Sequence, residues 1–257
     1  MHLLKSLLIA FSVYSRIPVP QFAWKEEDIK YMLCFFPWIG AVIGSCIYLW
    51  HMLCIHWSIG NFCRTAVLGA IPLLITGGIH ADGFLDVMDA FHSYQPRERK
   101  LQILSDAHIG AFSVIMSAMY GLLYLAAFSE IADGRMLKTV CGGFFLSRCL
   151  CGISVLTFPL AKQEGMLFGV VKNSSKNIVK PVLYLQAMAC IGYMIFCLQA
   201  AGALVAAAVL LSVVYYYYRA RKEFGGITGD TSGYFVLLCE ICILITAAVL
   251  QIAGVGN

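Results

Sequence analysis

The 257-residue chain predicts an all-α polytopic membrane protein, with about seven transmembrane helices and a short N-terminal interfacial or re-entrant helix. Residues 1–257 read as a single membrane domain. Composition is the first ground. The chain is 60% hydrophobic and 12% charged, with mean hydropathy +0.81, whereas a soluble domain is about 25% charged. So little polar side chain cannot coat a water-facing surface. The second ground is the apolar runs. A span needs roughly 20 mostly apolar residues, and candidates occur at 32–55, 65–79, 110–131, 139–158, 181–199, 203–218 and 234–253. The third ground is charge asymmetry. Lys5, Arg16, Lys25, Lys30, Arg97, Arg99, Lys100, Lys162, Lys172, Lys176, Lys180, Arg219, Arg221 and Lys222 all fall on one side of this arrangement. Only Arg64, Arg135 and Lys138 fall on the other, and Arg148 lies within a span. The positive-inside rule then puts the N-terminus and the basic loops in the cytosol and Asn257 outside.

The elements follow in chain order. Residues 3–14 are too short to span, and the corner Ile17-Pro18-Val19-Pro20 ends them. No small-residue cleavage site follows, so no cleavable signal peptide is expected. The run at 65–79 is short but extends through the acidic residues after Gly78. Residues 97–104 form an amphipathic stretch begun by Pro96, a residue suited to a first helical turn. Leu101 and Leu104 are expected on the membrane, with Arg97 and Lys100 toward water or phosphate. Tyr215 to Tyr218 suit an aromatic belt at headgroup level. The eleven cysteines sit mostly in apolar runs without metal-finger spacing and read as buried thiols. A net charge of +4 gives nucleic-acid binding no support.

The chemistry concentrates in two polar islands. Asp82, Asp86 and Asp89 are spaced i, i+4 and i+7, which places three carboxylates on one helical face. Like charges so close repel, and desolvation at a membrane boundary adds to the cost. A divalent cation resolves this, and oxygen ligands beside a phosphate select Mg²⁺. The plainer alternative is a solvated loop, but Phe84, Leu85, Val87 and Met88 continue the apolar pattern. Asp106 returns to the same membrane face as a fourth carboxylate. His80 falls on the opposite side of an unbroken helix, though Gly77, Gly78 and Gly83 can bend the chain to bring it round. The second island is Gly225-Gly226-Ile227-Thr228-Gly229-Asp230. Its flexible, donor-rich backbone at a helix N-terminus suits an anion, with Thr228, Gly229 and Asp230 placed to hold substrate. Glu240, deeper in the last span, is either functional or paired with Arg148.

The run from Gly77 to Asp86 with Asp89, then Ser105-Asp106 and Gly110, then 225–230, closely resembles the cobalamin synthase family, the adenosylcobinamide-GDP ribazoletransferases. Arg16 to Pro20, Phe36-Pro37-Trp38-Ile39-Gly40, Ser147-Arg148, and Glu164-Gly165 with Lys172 downstream match its pattern too. Ala90 stands where the family pattern has Gly, and His108 where Arg is common. The resemblance covers about residues 7–245. It implies attack by a hydroxyl of α-ribazole, or of its 5′-phosphate, on adenosylcobinamide-GDP with loss of GMP. Mg²⁺ would assist, held by Asp82, Asp86, Asp89 and Asp106, which also carry the catalysis. His80, Arg16, Lys172, Thr228, Gly229 and Asp230 would bind substrate. The expected location is the bacterial inner membrane, with the active site facing the cytosol. Homo-oligomerisation and association with other late B12 enzymes stay open. CDP-alcohol phosphotransferases use a similar aspartate array, but Ala-Arg does not follow Asp82-Gly83 here. Prenyltransferases usually need a second aspartate-rich motif, and the second island offers only Asp230. A transporter is the alternative from another class, but the acids gather at one face rather than the midplane.

Overall fold

The computed structural model describes residues 2–106 and 108–255. The elements are α1 (His2–Tyr14), a 3₁₀ turn (Glu26–Ile29), α2 (Met32–His56), α3 (Asn61–Thr76), α4 (Ile79–His92), α5 (Arg97–Ile103), α6 (Ala111–Glu130), α7 (Gly134–Thr157), α8 (Gly165–Asn173), α9 (Lys176–Phe224) and α10 (Gly229–Ile252). Among the described residues there are no strands, only one isolated bridge between Leu160 and Ile227.

Five helices, α2, α6, α7, α9 and α10, are long and apolar enough to cross a membrane, and the bent pair α3–α4 makes a sixth if counted as one span. The 49 residues of α9 would reach about 74 Å at ~1.5 Å per residue. That far exceeds a hydrocarbon core of about 30 Å. The helix is in fact broken at Leu198 and Gln199, where φ is −141° and +46°. A Cβ on Gly202 would collide with the Met194 carbonyl, so the chain doubles back there. With α9 counted as two arms and the bent α3–α4 pair as one span, the fold accommodates the seven expected crossings.

The two ends of the bundle differ in character. At one end the basic loops touch one another. Ser175 N–H donates to Lys30 O (3.1 Å), Lys162 Nζ donates to Ser105 Oγ (2.8 Å), and Lys100 forms an ion pair with Glu223. At the other end Arg64 donates to Ile131 O (3.0 Å), and Asp133 N–H to Gln251 Oε1 (3.4 Å). The sorting of charge seen in the sequence is thus a sorting in space. Asn257 lies outside the described residues.

At the core, α7 packs against α2, α9 and α10. Small residues permit the approach, as is usual between membrane helices. Gly40 and Gly44 of α2 lie against the α7 backbone at Phe144 and Cys141. Arg148 Nη1 and Glu240 Oε1, 1% and 4% exposed, are 3.0 Å apart and tie α7 to α10. The pairing alternative for Glu240 is therefore the one observed.

Two expectations are corrected. The second span does not run on through the acidic residues: α3 stops at Thr76 and α4 leaves at 96°. Gly77 and Gly78, at φ +65° and +80°, form the elbow, a conformation that glycine adopts without a Cβ penalty. In α5, Lys100 is buried against Glu223 instead of facing water, and Leu104 is part of the core rather than lying on the membrane. A lone amphipathic pattern cannot tell a lipid surface from a neighbouring helix.

Candidate active site

The site is built where α4 crosses the start of α10. Two glycines set the distance. A Cβ on Gly83 would lie 2.7 Å from the Asp230 carbonyl oxygen, and one on Gly233 would lie 3.2 Å from His80 Cα. The two sequence islands, some 140 residues apart, therefore meet backbone to backbone. The first turn of α10 is fixed by a reciprocal cap. Thr231 N–H donates to Thr228 Oγ1 (3.2 Å), and Thr228 N–H donates to Thr231 Oγ1 (2.8 Å). Tyr216, buried and stacked on Phe235, braces Thr231 at 3.2 Å. Thr228 Oγ1 also donates to Asp230 Oδ2 (3.3 Å), so Thr228 holds the aspartate in place.

Four of the five carboxylates line three clefts. Asp82 is exposed and shares a cleft of about 810 Å³ with Arg16, Gln21 and Gly77. Asp82 and Asp230 together line a second cavity of about 250 Å³. Asp86, half-buried, feels the charges of Asp82, Asp230 and Asp89. Asp89 Oδ2 accepts the Gly110 N–H at 2.6 Å, and Asp89 and Asp106 line a common cleft of about 390 Å³. Asp106 Oδ1 accepts the His108 N–H (3.0 Å) and lies 2.6 Å from His108 Nδ1. These hydrogen bonds hold the Asp106 carboxyl below the usual carboxylate range.

Among the described residues no three His, Cys, Asp or Glu side chains converge as a ready-made metal cage. The donor chemistry nevertheless suits Mg²⁺. That ion takes one or two carboxylates and completes its shell with water and phosphate oxygens. Asp86, within electrostatic reach of Asp82, Asp89 and Asp230, is one carboxylate that could serve.

Other expected residues divide. Arg16 lies in the Asp82 cleft, its N–H bonded to Ile75 O (2.7 Å) and its side chain lying over Gly77. His80 is buried at 6% exposure, edge-on to Phe36 at 5.7 Å, with Nε2 lacking a partner. Lys172 is exposed near the end of α8, outside the clefts lined by the aspartates. The glycine island is pinned, in contrast to the flexible backbone expected of it. Ile227 N–H donates to Pro159 O (2.8 Å) and Ala161 N–H to Ile227 O (2.9 Å). Gly229 is under no packing constraint, since a Cβ there meets nothing within 4 Å. The constrained positions are Gly225, at φ +76° beneath the Arg97 guanidinium, and Gly226, where a Cβ would lie 2.5 Å from Pro159 O. Gly229→Ala should therefore change the melting temperature little. Gly225→Ala should cost about 1 kcal/mol or more by forcing a left-handed residue against Arg97. Thermal unfolding in detergent distinguishes the two, and equal losses would contradict this geometry.

Two cations near the site are placed by contacts that the sequence does not show. Lys162 lies within electrostatic reach of Asp230, and Arg97 packs on Gly225. Each acts across a long sequence separation, so neighbouring residues give no hint of its role.

The family profile described as cobalamin-5-phosphate synthase matches residues 6–248. The chain belongs to this family. An adenosylcobinamide-GDP ribazoletransferase of Lachnoclostridium phytofermentans is 40% identical over 93% of this chain and 91% of its own. Relatives of the same name from Clostridium botulinum strains Eklund 17B and Alaska E43 are 34% and 30% identical, each over 96% of this chain and 98% of theirs. No solved structure matches. For a member of the cobalamin-5-phosphate synthase family, the two motifs that carried the resemblance, 77–89 and 225–230, are the ones the fold joins at the α4–α10 crossing.

Proposed function

We propose that the chain transfers the adenosylcobinamide-phosphate group from adenosylcobinamide-GDP to α-ribazole or its 5′-phosphate, releasing GMP, at the cytosolic face of the bacterial inner membrane. The observation that carries this is the α4–α10 crossing, which puts Asp230 in one cavity with Asp82, itself lining the Arg16 cleft, and within electrostatic reach of Asp86. The names and coverage of the relatives support the substrates.

In this reading Arg16 and Lys162 draw the pyrophosphate into the cleft and fix its orientation. A hydroxyl oxygen of the acceptor attacks the cobinamide-side phosphorus and forms the new P–O bond. The P–O bond to GMP breaks, and GMP leaves with the electron pair. Asp89 or Asp106, both lining a separate cleft, takes the hydroxyl proton in this reading. Asp82 and Asp86 would hold Mg²⁺, which when bound would neutralise charge on the leaving phosphate. Thr228 keeps Asp230 aimed at the same space.

The test is a two-substrate assay on the detergent-solubilised protein. GMP should appear only when adenosylcobinamide-GDP and α-ribazole are both present. CMP release from a CDP-alcohol, or solute uptake without GMP, would move the chain to another reading. Orientation is tested separately by cysteine labelling in intact cells. Positions in the loops at Arg97, Lys172 and Lys222 should resist an impermeant reagent. External labelling at Lys172 would place the site on the other side of the membrane.

A further inference from the structure

A cavity of about 400 Å³ lies inside the bundle among α3, α4, α6, α7 and α10. We propose that it seats the flat aromatic base of the nucleoside acceptor, an inference that rests on the ribazole-transfer reading above. Four of its lining side chains carry a buried polar atom without a hydrogen-bond partner: His80 Nε2, Ser117 Oγ, Tyr124 OH and Arg148 Nε. His80, Tyr124 and Arg148 are 6%, 5% and 1% exposed. Unpaired polar atoms at such depth are rare and costly, and four in one cavity point to a ligand that supplies their partners.

The remaining wall is apolar and aromatic. Phe84 lies 5.1 Å from Tyr120, and Tyr120 stacks on Tyr124 at 5.4 Å between ring centroids. A heterocycle with a ring nitrogen and attached ribose hydroxyls meets both demands. Its faces lie against the rings, and its acceptors take the Arg148 Nε–H and the Tyr124 hydroxyl. A lipid chain would fill the apolar space but leave all four polar atoms unpaired. Position adds a second reason. Thr76, Ala81 and Leu85 line both this cavity and the Asp82–Arg16 cleft. A nucleoside with its base in the cavity therefore extends its ribose past Ala81 and Leu85, into the cleft lined by Asp82 and Arg16.

The experiment measures α-ribazole binding to the full-length protein in nanodiscs by equilibrium dialysis without donor, together with the KM of each substrate. Tyr124→Phe keeps the shape and removes one hydroxyl. It should weaken α-ribazole binding and raise its KM roughly five- to twentyfold, while the KM for adenosylcobinamide-GDP holds. Ser117→Phe, which fills the cavity, should weaken α-ribazole binding further. Wild-type affinity in Tyr124→Phe, or a rise in the donor's KM instead, would overturn the assignment while leaving ribazole transfer intact. Phospholipid carried by the wild type and lost from Ser117→Phe, with α-ribazole affinity unchanged, would give the cavity to lipid and overturn it as well. If the wild type neither binds α-ribazole nor releases GMP, the transfer reading itself fails, and this assignment with it.

Discussion

Asp86→Asn and Asp82→Asn should each lower kcat by about 10²-fold or more, with the protein still inserted and folded. Asp86 stands among three other carboxylates, so removing its charge leaves the helix itself unstrained. The loss should therefore appear in turnover and not in stability. Asp82 borders both the Arg16 cleft and the smaller cavity shared with Asp230, so it connects the first island to the second. The Asp89→Asn variant should behave differently. Its oxygen already accepts the Gly110 N–H, so part of its effect should be a loosened start of α6 and a lower melting temperature. Near-normal kcat in Asp82→Asn and Asp86→Asn, with membrane insertion verified, would remove both from the chemistry.

Gly83→Val should be the most damaging substitution outside the carboxylates. Any Cβ at this position sits 2.7 Å from the Asp230 carbonyl oxygen and 2.9 Å from its Cα, and backbone cannot swing aside as a side chain can. Overpacking of this kind costs roughly 1–3 kcal/mol. The functional loss should be larger, because α4 and α10 must part and a shift of about 1 Å can cost 10²-fold in rate. The expected result is a modest fall in melting temperature with a fall in kcat of about 10²-fold. Wild-type turnover in Gly83→Val would mean that the α4–α10 crossing does not assemble the reacting centre.

Much of this was legible in the sequence because the governing patterns are local. Apolar run length reports a crossing, basic residues report a side, and the spacing of Asp82, Asp86 and Asp89 reports a common face. What escaped depends on contacts between distant segments. Gly77 and Gly78 were visible as bend-permitting residues, but the 96° elbow appears only once α4 has α10 to pack against. Gly229 was expected to hold substrate from its place in the motif, but Gly83, Gly225 and Gly226 are the ones with neighbours too close for a side chain. Lys100 looked solvent-facing because its partner Glu223 lies 123 residues away. Arg16 entered only through the family resemblance, since nothing local joins it to Asp82. Lys172, brought in the same way, does not itself line the carboxylate clefts, although Met166, Leu167 and Val170 of its helix line the cavity shared by Asp82 and Asp230.

The central claim is that a carboxylate row at the α4–α10 crossing performs Mg²⁺-assisted transfer. Its most direct test is a Mg²⁺ titration of GMP release by metal-stripped protein in nanodiscs, run on the wild type and on Asp86→Asn with both substrates saturating. The wild type should be inactive after chelation and should recover with Mg²⁺ or Mn²⁺, while Asp86→Asn should need far more metal and recover only a small part of the rate. Undiminished GMP release from wild-type protein shown by elemental analysis to be free of divalent metal would contradict the account.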